Sequence, residues 1–257
     1  MNRLRKVRNM YEDIKAVLFD LDGTIYYGSK LIDGADKVVE AFRNAGKKVL
    51  FMTNNSTKSR KQICDKLVDM GVECSKEEIY TSGYAAALYA RKKGYNSVYI
   101  FGTGALESEF YEAGIISSNK ADVVVIGYDM EFDYKKLTEA LQVAFGAKAL
   151  IACNREKHYP GEGAVRMPGC GAMVGALEGS LGKTVDYVVG KPNPLLLDII
   201  CSRHHLNKND ILVIGDTYES DIKMSNLYGC RSVYIGNEVH KDTDTVFNIK
   251  DILKWMN

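Results

Sequence analysis

Four short polar segments carry the side chains with the clearest capacity for chemistry: Asp20-Leu-Asp22-Gly-Thr24, Thr53-Asn54-Asn55-Ser56, Gly190-Lys191-Pro-Asn-Pro194 and Gly215-Asp216-Thr217-Tyr-Glu-Ser-Asp221. If Asp20, Asp22, Asp216 and Asp221 meet, their carboxylates repel one another unless a cation neutralises them. A small set of hard oxygen ligands suits Mg²⁺, which then bridges to a substrate phosphate. Thr53 and Lys191 supply what carboxylates lack, a hydroxyl donor and a positive charge for phosphate oxygens. Backbone N–H groups from Thr53 to Ser56, ahead of a helix starting near Ser59, could help hold the same anion. Together these groups describe phosphoryl transfer, in which positioning and electrostatics do most of the work. The Asp-x-Asp spacing gives a nucleophile and a proton donor access to opposite parts of one ester. Asp20 would attack phosphorus to form an aspartyl-phosphate. Asp22 would protonate the leaving oxygen and then activate the hydrolytic water, with Mg²⁺ shielding Asp20 from the anion it approaches.

Such groups need rigid elements to hold them. Short apolar runs recur at Ala16–Phe19, Val49–Met52, Val98–Phe101, Val123–Ile126, Leu150–Ala152, Tyr187–Val189, Ile211–Ile214 and Val233–Ile235. Helix-period segments lie between them at Ala35–Ala45, Arg60–Met70, Tyr84–Lys93, Tyr134–Phe145, Pro194–His205 and Ser220–Tyr228. Continuously apolar strands alternating with helices predict an α/β fold, a Rossmann-like parallel sheet covered on both faces. Ligands in such sheets bind at the carboxyl ends of the strands, and each polar segment follows an apolar run. Asp20 and Thr53 are one strand–helix step apart, as are Lys191 and Asp216. The stretch from Thr53 to Lys191 is several times longer and contains its own strands and helices. The spacing therefore predicts a core formed by residues 1–80 and 186–257, interrupted by a smaller α/β insert at 81–185.

Composition narrows the function classes. The chain has 257 residues, 34 Lys+Arg against 33 Asp+Glu and a net charge of +1. That balance argues against bulk affinity for nucleic acid or an anionic membrane. Hydrophobic residues at 46% and charged residues at 26% are ordinary for a globular protein and exclude disorder. The basic segment Met1–Met10 lacks a following signal-type apolar run and reads as a solvated arm. With no apolar stretch long enough to span a bilayer, the expectation is a soluble, cytoplasmic protein without nucleic-acid or membrane partners. Cys64, Cys74, Cys153, Cys170, Cys201 and Cys230, like His158, His204, His205 and His240, show no metal-ligand spacing. They read as thiols of a reducing compartment and as ordinary histidines.

In order and type, the four segments closely resemble the four motifs of the haloacid dehalogenase-like (HAD) phosphohydrolases. Thr53-Asn-Asn-Ser56 and Pro168-Gly-Cys-Gly-Ala-Met173, running into Val188-Val-Gly-Lys-Pro-Asn-Pro194, point to the NagD-like or 4-nitrophenylphosphatase-like branch, subfamily IIA. The resemblance extends from about Lys15 to the last strand. It implies Asp20 as nucleophile and Asp22 as acid/base. Mg²⁺ would sit between the Asp20 carboxylate, the Asp22 carbonyl and Asp216, with Asp221 orienting a bound water. Thr53, Asn54 and Lys191 would hold the phosphate. The insert becomes a cap whose Asn154-Arg-Glu156-Lys-His158 segment faces the substrate. Relatives often carry Asn-x-Asp there and Arg or Asn after the first Asp of the fourth motif; here the residues are Glu156 and Thr217.

Plainer readings exist for each segment alone: a turn at Asp22-Gly23, a solvated loop lysine at Lys191, helix capping at Thr53–Ser56 and again at Asp216 and Asp221. Phe101-Gly-Thr-Gly104 resembles half a dinucleotide fingerprint, but it lacks the third glycine and the acidic partner, so it reads as a tight turn of the insert. The loops around Gly161 and Gly163, and around Gly169 and Gly171, lack the Gly-Lys-Ser/Thr of a phosphate loop. Tyr26 and Tyr27 fit an entrance or plain packing equally. The expected function is a Mg²⁺-dependent phosphatase acting on a small-molecule phosphate ester, with homo-oligomerisation left open. The alternatives are a phospho-accepting signalling module, disfavoured by the insert, and a non-catalytic phosphometabolite-binding protein, disfavoured by retention of both Asp20 and Asp22.

Overall fold

A computed structural model describes residues 12–160 and 165–256. The basic segment Met1–Met10, and Gly161 and Gly163 of the glycine-containing loop, lie outside the described residues. Contacts divide the chain into two units. The first takes the described residues up to Thr53, then Ile63–Tyr80, then the described residues from Ile200. The second comprises Asn54–Gln62 and Thr81–Ile199.

The first unit is built on a six-stranded sheet in the order Asp244–Val246, Arg231–Ile235, Ile211–Gly215, Ala16–Asp20, Lys48–Thr53, Ile79–Thr81. Ala16–Asp20 runs parallel to both of its neighbours, Ile211–Gly215 and Lys48–Thr53. Its sequence, Ala-Val-Leu-Phe-Asp, is buried at every position, as a strand covered on both faces must be. The helix Ala35–Asn44 buries Ala35, Val38, Val39 and Phe42, a three-and-four spacing that puts one apolar stripe on the sheet. Phe19 meets the Phe42 ring edge-on at 5.9 Å between centroids. Val17, Phe51, Leu212 and Ile214 complete the middle of this core.

The second unit holds a five-stranded, wholly parallel sheet ordered Tyr187–Val188, Ala149–Ala152, Val123–Ile126, Ser97–Phe101, Ile116–Ser117. Its core packs Phe101, Val124, Ile126 and Leu150 against Val174 and Leu177 of the helix Cys170–Leu181. A short antiparallel pair, His158–Pro160 with Arg166–Pro168, leads into that helix.

The main strands and helices fall where the apolar patterning places them; short edge strands at Ile79–Thr81, Asp244–Val246 and Ile116–Ser117 add to them, and three further differences stand out. First, Tyr187–Val188 does not join the core sheet. Tyr187 pairs with Ile151 and Val188 with Ala152, and the Val189 N–H continues the ladder to the Ala152 carbonyl at 3.0 Å. Lys191 therefore follows a strand of the second sheet, and three polar segments, not four, follow strands of the first. Second, helices form at Gly104–Glu112 and Cys170–Leu181, where glycine obscured the helical period. Phe101-Gly-Thr-Gly104 is thus a strand-to-helix turn. Third, the stretch after Asp216 starts as a π-helical turn, Tyr218–Ile222, and becomes regular helix at Lys223–Tyr228. Of the tyrosine pair, Tyr26 is buried and Tyr27 exposed, in a small antiparallel pairing with Lys30–Leu31.

Candidate active site

In the first unit, strand register dictates where the polar residues fall. Asp20 is level with Met52, so Thr53 lies one residue beyond it along the neighbouring strand. On the other side Phe19 is level with Ile214, which brings Gly215 and then Asp216 to the same end of the sheet. The carboxylates of Asp20, Asp216 and Asp221 converge there, each offering an oxygen within 4.8 Å of the others. Asp20 is 5% exposed and Asp221 fully buried. Like charges gathered with so little solvent are favoured by a cation between them, and an all-oxygen donor set suits Mg²⁺. The residues fit that ion.

Local backbone chemistry sets up the cluster. The Leu21 carbonyl accepts the N–H groups of Thr24, Ile25 and Tyr26 at 3.2, 2.8 and 3.1 Å, closing a tight turn directly after Asp20. Gly23 occupies that turn at φ +87°, a left-handed conformation that suits glycine, and an added Cβ would run into the Asp216 carboxylate. The turn foreseen at Asp22-Gly23 is therefore real, and it carries Asp22 as an exposed side chain beside the buried Asp20. Thr24, quoted in the motif but given no task there, donates its hydroxyl to Asp216 Oδ1 at 3.2 Å. The π-helical turn holds Asp221: its carboxylate accepts the Thr217 N–H at 3.2 Å, and the Ser225 hydroxyl donates to its carbonyl at 2.7 Å. Asp221 thus carries part of the capping task considered for it while also joining the carboxylate cluster. Burial, then the nearby Glu238 and Asp216 charges, push the Tyr234 hydroxyl above its ordinary pKa.

The second unit assembles a different kind of centre around Asn54. The Asn54 Oδ1 accepts the Lys191 N–H at 2.8 Å, and its Nδ2 donates to the Lys191 carbonyl at 3.0 Å. The second Nδ2 hydrogen goes to Glu156 Oε1 at 2.8 Å. The Asn54 carbonyl accepts the Ser82 hydroxyl at 2.7 Å and Asn154 Nδ2 at 2.8 Å. Asn54, Asn154 and Lys191 are all buried. Close approach needs Gly190, whose N–H donates to the Cys153 carbonyl at 2.7 Å; an added Cβ would stand 2.5 Å from that same oxygen.

The expected site residues thus divide between two centres. Asp20, Asp22, Thr53, Asp216 and Asp221 belong to the first unit; Asn54, Lys191, Asn154, Glu156 and His158 belong to the second. Lys191 is 4% exposed, which removes the solvated-lysine reading. Ser59 caps the helix Arg60–Asp69, Glu109 Oε1 accepts its Arg60 N–H at 2.6 Å, and Asn55 closes the turn ahead of it. Asn55 Oδ1 accepts the Thr57 and Lys58 N–H groups, and Ser59 exchanges bonds with Gln62. Both Asn54 amide hydrogens are committed inside the protein, so its side chain has no donor to spare for a phosphate. Asn154 is likewise a buried tie, while Glu156 and His158 are exposed. What the sequence reading missed is the direct link from Glu156 to Asn54; the two are far apart along the chain and no spacing rule joins them.

Known proteins resemble this chain at the level of family model, sequence and fold. Residues 17–116 match the family model described as haloacid dehalogenase-like hydrolase, and residues 188–253 match a second HAD-hydrolase-like model. The chain is 33% identical over 223 residues to the sugar-phosphatase AraL of Bacillus subtilis, covering 85% of this chain and 82% of that protein. It is 32% identical over 252 residues to an acid sugar phosphatase of Staphylococcus haemolyticus, covering 94% and 95% of the two chains. The crystal structure of a 4-nitrophenylphosphatase from Thermotoga maritima superposes with a TM-score of 0.87 at 27% identity, covering 95% of this chain and 98% of that one.

Proposed function

We propose that this chain, which belongs to the haloacid dehalogenase-like hydrolase family, is a Mg²⁺-dependent phosphatase of small phosphomonoesters working through an aspartyl-phosphate on Asp20. The convergence of Asp20, Asp216 and Asp221 within 4.8 Å carries the reading. In it, an Asp20 carboxylate oxygen attacks phosphorus and the P–O bond to the alcohol breaks. Asp22 gives its proton to the departing alkoxide, then takes one from the water that attacks the phosphorus of the aspartyl-phosphate. That second step releases inorganic phosphate and regenerates the Asp20 carboxylate. The Asp20 and Asp216 carboxylates and the Asp22 carbonyl would hold Mg²⁺, with Asp221 beside them. When bound, the ion supplies the positive charge that lets a carboxylate approach an anionic ester. Thr53 donates its hydroxyl and Lys191 its ammonium charge to the phosphate oxygens. Asn54 contributes its backbone N–H and keeps Lys191 in place through its side chain.

Substrate choice we assign to the inserted residues, with sugar phosphates first among candidates because two relatives carry that activity in their names. Nucleoside monophosphates and phosphoglycolate-like metabolites come next. All six cysteines are free thiols, in keeping with the cytosol, and no helix among the described residues is long and apolar enough to cross a membrane. The test is phosphate release over a panel of phosphorylated metabolites, with Mg²⁺ and with chelator. Release that needs Mg²⁺ supports the reading; no release from any ester, or release untouched by chelator, contradicts it.

A further inference from the structure

Glu156 presents an unusual juxtaposition. It is exposed, yet its carboxylate reaches Asn54 Nδ2 at 2.8 Å, and Asn54 is the residue whose amide pairs with both backbone groups of buried Lys191. An amide in that position has two orientations. In the observed one, Nδ2 faces two acceptors, the Lys191 carbonyl and the Glu156 carboxylate, and Oδ1 faces the Lys191 N–H. The flipped one would turn Oδ1 onto both acceptors and leave the Lys191 N–H facing an N–H. An acceptor at Glu156 therefore reinforces the orientation that the Lys191 backbone groups already favour, the one in which Lys191 is held at both ends.

We infer that Glu156 is a positioning residue for the phosphate-holding lysine, acting through the Asn54 amide. This rests on the assignment of Lys191 to the phosphate made above.

The carboxylate has no large share in holding its own loop. The Glu156 N–H donates to Asn154 Oδ1 at 3.0 Å, and its carbonyl accepts the Gly171 N–H at 2.8 Å. Arg155 beside it is tied to Glu178 through two bonds at 2.9 and 2.6 Å. Truncating the Glu156 side chain leaves all of these in place and, among the described residues, removes the grip on Asn54.

The experiment titrates the full chain with inorganic phosphate in the presence of Mg²⁺ and measures hydrolysis of 4-nitrophenyl phosphate in parallel. Inorganic phosphate has no leaving group, so it reports on the lysine and not on substrate choice. Loss of one charge-assisted hydrogen bond predicts that Glu156→Ala weakens phosphate binding about tenfold. KM should rise with it, while kcat moves less. Glu156→Gln, which still presents an Oε1 acceptor, should bind phosphate nearly as the parent does. If the alanine variant does not fold, Glu156→Met supplies a side chain of similar length without the acceptor. Unchanged phosphate affinity in the non-accepting variants, or equal loss with glutamine, overturns the inference. A KM change confined to particular esters, with phosphate affinity intact, also overturns it and makes Glu156 a substrate contact. A parent that binds phosphate in this Glu156-dependent way but hydrolyses nothing leaves the inference standing and removes the catalytic reading; a parent that neither binds nor hydrolyses removes both.

Discussion

The two units build parallel sheets from the same material and finish the strands differently. Ala16–Asp20, Lys48–Thr53 and Ile211–Gly215 in the first unit, like Val123–Ile126 and Ala149–Ala152 in the second, are fully or almost fully buried. In the first unit the residues at and just past the strand ends put three carboxylates within 4.8 Å. In the second, Asn154 and Lys191 follow their strands and donors meet acceptors around Asn54. The apolar strand bodies thus provide position, and one or two residues past each end decide the chemistry. One centre gathers like charges, a setting that suits a cation; the other ties amide and backbone groups together by hydrogen bonds.

Substitutions can break this contrast, starting where the effect is greatest. Asp20→Asn removes the nucleophile, and turnover of 4-nitrophenyl phosphate should fall on the order of 10³-fold or more while circular dichroism shows the chain still folded. Gly23→Ala forces a Cβ onto the Asp216 carboxylate in a left-handed turn, so we expect a loss of at least about 2 kcal/mol in chemical denaturation together with much weaker Mg²⁺ dependence. Asn54→Ala strips partners from the backbone of buried Lys191 and should cost about 1–3 kcal/mol in the same denaturation assay. The smallest effect carries the most telling sign. In chelator, Asp216→Asn removes one charge from the cluster but keeps an oxygen for the Thr24 hydroxyl, so the protein should gain about 1 kcal/mol, read as a rise of a few degrees in melting temperature. With Mg²⁺ present that gain should disappear, because the variant has lost a ligand. A loss of stability in chelator would show that the carboxylates do not strain the first unit.

Much of this was readable from residue types alone. Val17-Leu-Phe19 and Leu212-Val-Ile214 name buried strands, and the Asp residues at their ends name the candidate site. Among the features that escaped, these have identifiable reasons. Tyr187–Val188 is only two residues long, and a short apolar run does not say which sheet its ladder completes. The helix Cys170–Leu181 contains Gly171, Gly175 and Gly179, so propensity argues against a helix that packing of Val174 and Leu177 nevertheless holds. The Glu156–Asn54–Lys191 chain depends on tertiary proximity between residues 102 and 137 positions apart, which motif spacing does not encode. Asn54 accordingly resembled a phosphate ligand from its motif, whereas its amide is committed to the protein.

Covalent chemistry at Asp20 is the step that most sharply sets this mechanism apart. Brief incubation of the parent with a phosphate-labelled small ester and Mg²⁺, followed by acid quench and peptide mapping, should place label on the peptide that contains Asp20, and hydroxylamine should remove it. The Asp20→Asn chain should carry none. An actively turning-over parent that acquires no acid-stable label under any quench time, or that carries it on another residue, contradicts the account.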